Sequence, residues 1–145
     1  MAADRNRTAK QRRQQILEIH GWAYTLKGQV GDPCTYCGEC SDTMDHIPPV
    51  HYLARVRDLE AEVENCRMVP ACKDCNSTLG GLLILNVADR RKHVKTRIRD
   101  RFKKFLRMPE WDEDDLRGMS EALVREIAAY LVVKAQAERR LRWKP

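Results

Sequence analysis

Two Cys-x-x-Cys pairs, Cys34/Cys37 and Cys72/Cys75, bracket an Asp45-His46 dipeptide, and asparagines stand at 65 and 76, near and just after the second pair. These residue types divide into two chemistries. Four thiolates presented from two tight turns suit a tetrahedral zinc ion, and a site filled by four protein sulfurs is structural, because it leaves no open position. The carboxylate, imidazole and amides form a polar group of another kind. Hard oxygen ligands hold Mg²⁺ or Mn²⁺, and a histidine titrates near neutrality, where a general base works best. Hydrolysis of a phosphodiester needs an activated water, neutralised charge on phosphorus and a stabilised departing oxygen, and groups of these types supply all three.

Other readings of the same residues stay open at this point. Cys37 and Cys40 form an overlapping Cys-x-x-Cys pair. Cys34/Cys37 is preferred because Gly38 follows it, where a knuckle turn often needs positive φ. Cys66 has the character of a small buried apolar residue. Asn65 fits a turn and Asn76 a helix start, while His20, His51 and His93 fit surface or packing positions, His51 standing nearest the site.

The order Cys34-x-x-Cys37-Gly38, Asp45-His46-Ile47-Pro48, Asn65, Cys72-x-x-Cys75-Asn76-x-x-x-Gly80 resembles the HNH nucleases, in their zinc-stapled branch with asparagine in the last position. The resemblance covers about residues 34–81, a third of the chain. It implies a ββα-metal fold, a two-stranded hairpin packed on a helix with one divalent ion between them. It also implies roles: Asp45 and Asn76 as ligands of the catalytic Mg²⁺ or Mn²⁺, His46 as the base that deprotonates water, and Asn65 as the residue orienting His46. The family often carries Lys or Arg before the closing glycine; this chain has Leu79, so any phosphate contact must come from elsewhere, such as Lys73 or the 87–107 helix. The alternative is an inactive HNH-like zinc module that binds nucleic acid or a protein.

The surrounding chain must position these groups. Residues 1–8 are polar and charged with no apolar face, as a disordered tail would be. Ile16, Ile19, Ala23 and Leu26 line one side of a helix over 8–27, with Lys10, Arg12 and Arg13 near its start. A knuckle and a short strand or hairpin follow over 34–50, then a short helix over 51–64 with Leu53, Val56 and Leu59 on one side. Residues 65–71 read as extended. A helix opens at Lys73 and closes at Gly80-Gly81. Residues 88–106 form an amphipathic helix buried along Val94, Ile98, Phe102, Phe105 and Leu106. A last helix over 120–141 presents Leu123, Ile127, Tyr130 and Leu131. The expected fold is α+β and mostly helical: a basic tail and helix (1–29), a ββα-metal module with zinc knuckles (30–86) and a helical extension (87–145).

The net charge of +6 is unevenly spread. Residues 87–107 carry ten Lys and Arg against two acids, whereas 30–86 carry four against nine. Basic flanks around an acidic metal module suit a polyanion, and duplex DNA is the expected partner, gripped by Lys73, Arg90, Arg91, Lys95 and Arg97. One active site per chain implies a nick; cutting both strands would take a homodimer or two sequential events. With no apolar h-region, no membrane-length apolar run and metal-type cysteine spacing, the expectation is a reduced, intracellular protein. Analogy with small HNH proteins suggests a bacterial or phage source.

Overall fold

The structure, a computed structural model, describes residues 9–56 and 64–145. The expected disordered tail at 1–8 and Leu59 of the 51–64 helix lie outside the described residues. The chain is α+β: a three-stranded sheet of order β1-β3-β2 is surrounded by helices. Helix α1 (Ala9–Ala23) leads into β1 (Thr25–Leu26), which pairs in parallel with β3 (Arg67–Ala71). Strand β2 (Thr43–Ile47) pairs antiparallel with β3, setting Asp45 opposite Val69 and His46 opposite Met68. Between them lies α2 (Val50–Leu53); β3 then runs straight into α3 (Lys73–Leu79), and α3 packs on β2. The long helices α4 (Val87–Leu106) and α6 (Glu121–Arg142) lie against each other, with the one-turn α5 (Glu113–Leu116) between them in sequence.

Helix α1 ends four residues before the expected boundary. Ile19 and Ala23 are buried as the periodicity requires, but Ile16 is 36% exposed, and Leu26 sits on a sheet edge and is 64% exposed. The strand that captures 25–26 is only two residues long, too short to show an alternation in sequence. Leu123 is also corrected: it lies in the first turn of α6 and is 44% exposed. Ser120 caps that helix, its Oγ accepting from Leu123 N at 3.3 Å, while the full capping box of this region is Asp112 with Asp115 on α5.

Two clusters of buried side chains hold the fold. The larger joins Cys34, Tyr36, Cys37 and Cys75 with Ile47, Val69, Ala71 and Leu79 from sheet and α3, and with Val94 and Ile98 of α4. The smaller joins Ile19 and Ala23 of α1 to Leu53 and Cys66, so Cys66 is the buried apolar residue its sequence context suggested. The main cluster is poor in large aliphatics and rich in sulfur, so its integrity depends on what the sulfurs do. No helix among the described residues is long and apolar enough to cross a membrane.

Candidate functional site

The first knuckle turns at Gly38, whose φ of +77° lies in the left-handed region that costs a side-chain-bearing residue about 1–3 kcal/mol. Within it, Gly38 N donates to Cys34 O at 2.9 Å and Cys34 N to Glu39 O at 2.7 Å. Thr35 N donates to Pro70 O at 2.9 Å, fastening the knuckle to β3. The second knuckle is the start of α3, where Cys72 is the N-cap and its Sγ accepts from Cys75 N at 3.5 Å. Together they bring ligand atoms of Cys34, Cys37, Cys72 and Cys75 within 4.8 Å of one another.

Cys37 Sγ lies 3.7 Å from Cys72 Sγ. Tetrahedral Zn–S bonds of about 2.3 Å put sulfurs about 3.8 Å apart, so the four cysteines can hold a metal ion and their spacing fits zinc. Cys40 stands apart and exposed, its Sγ 3.8 Å from Gly31 O. The overlapping Cys37/Cys40 pair therefore does not form the cluster.

Alternation along β2 sends Asp45 and His46 to opposite faces. Asp45 turns inward, its side chain 5% exposed, and Oδ2 accepts from Arg90 Nη1 at 2.6 Å and from the Tyr36 hydroxyl. Burial, then the Asp45 charge, raises the Tyr36 phenol above its ordinary value, which keeps it a donor. His46 faces α1. Its ring centroid lies 4.8 Å from His20 and 4.9 Å from Tyr24, edge-on to the latter, whose hydroxyl is anchored on Pro48 O at 2.6 Å. Burial, then the nearby His20, lowers the His46 pKa, and its buried Nε2 has no hydrogen-bond partner.

Asn76, one turn into α3, donates its amide to Thr43 Oγ1 at 3.2 Å and to Met44 O at 3.4 Å. It borders a cleft of about 220 Å³ with Asp42, Thr43, Lys73 and Ser77. Asn76 is thus bonded to β2, on which Asp45 and His46 face opposite ways. Asn65 is not brought to Nε2 of His46; it is exposed in the turn before β3, and His20 and Tyr24 flank the imidazole instead. Of the Asp45 carboxylate, Oδ2 is engaged by a guanidinium cation and a phenol.

The five cations expected to grip DNA separate. Arg90 is a correction: it is 0% exposed and is the internal partner of Asp45, with Nε on Ile84 O at 2.7 Å. Arg91 donates twice to Thr35 O, at 3.1 and 3.2 Å, and Lys95 to Trp143 O at 2.8 Å. Lys73 and Arg97 are exposed. Sequence reasoning missed Tyr36 and Arg140 as well as the true place of Arg90. Arg90 had a signal, since it stands four residues before Val94 and eight before Ile98 on the buried stripe. No known family model, curated protein or solved structure matches the chain.

Proposed function

We propose that the chain is a DNA phosphodiester hydrolase of the HNH kind, stapled by zinc at Cys34, Cys37, Cys72 and Cys75, with His46 as its base. One observation carries the reading: an antiparallel pair runs into a helix, with Asp45-His46 on the strand and Asn76 of the helix bonded back to that strand. The lowered pKa of His46, whose Nε2 lacks a partner, supports it further. In this scheme water attacks phosphorus while its proton passes to the His46 imidazole; the P–O bond to the leaving sugar oxygen breaks, and that oxygen takes a proton from solvent. Lys73 at the cleft rim and exposed arginines of α4 balance the phosphate charge. One site per chain gives a nick, and a homodimer would cut both strands.

The Asp45–Arg90 pair favours the second reading, a zinc module that binds DNA without cutting it, because an internal guanidinium stands where the family resemblance puts a metal ion. Cleavage of supercoiled plasmid in Mg²⁺, Mn²⁺ or EDTA, comparing the wild type with His46→Ala at equal zinc content, separates the two. Nicking by the wild type and its loss in the zinc-replete variant supports the hydrolase. Tight DNA binding by both without cleavage supports the scaffold.

A further inference from the structure

The C-terminal end of α6 reaches the four-cysteine cluster. Arg140 is 6% exposed, and its Nη2 lies 3.7 Å from Cys75 Sγ and 2.5 Å from Asp74 Oδ2. The other Asp74 oxygen accepts from Arg101 of α4 at 2.5 Å, so α3, α4 and α6 meet beside the fourth cysteine. The same stretch covers the first knuckle. Trp143 lies over Gly38 so closely that a Cβ there would meet its ring at 2.5 Å, and Arg139 pairs with Glu39 at 2.8 Å.

Four thiolates around a divalent ion make a doubly negative centre, and here Cys34 and Cys75 are fully buried. Such charge is costly inside a protein unless a cation and hydrogen-bond donors face it. Arg140 is placed to do both. A guanidinium stays charged, and its fork can serve a carboxylate and a sulfur together, which an ammonium on a flexible stem does poorly.

We propose that Arg140 belongs to the metal centre as a charge-balancing and positioning residue, holding the ion in the cysteine cluster and tying its occupancy to docking of residues 139–143. This rests on the cluster binding a metal, and is independent of the hydrolase reading. The full chain loaded with Zn²⁺, and separately with Co²⁺, tests it. Arg140→Met should lose zinc to a chromophoric chelator about 10–100-fold more readily than wild type, with Arg140→Lys between them. Its Co²⁺ form should show a shifted sulfur-to-cobalt charge-transfer band, because Cys75 loses an N–H donor; a purely packing role would leave that band in place. Stripping the metal from a Trp22→Phe, Trp111→Phe background should change Trp143 emission.

Wild-type retention and an unshifted band in Arg140→Met would overturn the proposal while leaving the cluster a metal site. A wild type that takes up neither ion would overturn both. Should Arg140→Met not fold, Arg140→Lys, which keeps the buried charge, decides by the same two readouts.

Discussion

Arg90 links the polar interior to the long helix: it bonds Asp45 on β2 and the Ile84 carbonyl, and both members of its ion pair are shut away from water. Removing one partner of such a pair leaves a buried charge without compensation, which costs about 3–5 kcal/mol. Arg90→Met should therefore lower unfolding free energy by about that amount in urea titration, and adding Asp45→Leu should recover part of the loss. An unchanged midpoint in Arg90→Met would remove the pair from any stabilising role. His46 gives a second residue-level expectation. Its folded pKa is depressed below 6.5 by burial and by His20, so below that pH the unfolded chain binds a proton that the folded chain refuses. By linkage, stability is full above pH 6.5 and falls as pH drops through the window beneath it. Urea midpoints between pH 7.5 and 5.5 should fall more steeply for wild type than for His46→Gln; acid loss of metal is common to both and cancels in the difference. Parallel slopes would mean that the ring is solvated.

At the scale of elements, the four-cysteine cluster was legible because its signals are local. The Cys-x-x-Cys spacings, the glycine after the first, the strand before the second and the close of α3 at Gly80 all lie within a few residues of what they control. The two-residue β1 and the internal use of Arg90 and Arg140 were harder. A short edge strand has no periodicity, and an arginine on a buried stripe reads as a surface cation until its partner, 45 residues away in the case of Asp45 and 65 in that of Cys75, is known. Gly38 combines local and distant constraints, since its positive φ was expected but Trp143 above it was not. Gly38→Ala should cost about 1–3 kcal/mol for backbone strain alone and should also lift Trp143 away from the knuckle. Thermal melting with Trp143 emission checks this. A normal melting temperature with unchanged emission would mean that the α6 end does not rest on the first knuckle.

Across the whole molecule the acidic module and the basic α4 face different demands. Lys92, Arg99, Lys103 and Arg107 are exposed and follow one another at helical spacings of seven, four and four, forming a stripe along α4; Arg97 and Lys104 stand beside it. Arg90, Arg91 and Lys95 on the same helix are turned to the protein. A polyanion laid along this helix would therefore meet the first group and miss the second. Neutralising each phosphate releases counterions, so on the proposed DNA-binding reading the logarithm of the affinity should fall linearly with that of salt, by about 0.9 per phosphate contacted on duplex. Removing Arg99 or Lys103 should weaken binding to every sequence alike and flatten that slope by about one unit each. Replacing Lys95, whose amine holds the Trp143 carbonyl, should leave the slope alone while loosening the α6 end. Salt titrations of DNA binding by Arg99→Ala, Lys103→Ala and Lys95→Met separate these outcomes. Equal slopes in all three would take α4 out of the proposed DNA contact, and the exposed cation on the Asn76 cleft, Lys73, would then be the next side chain to replace.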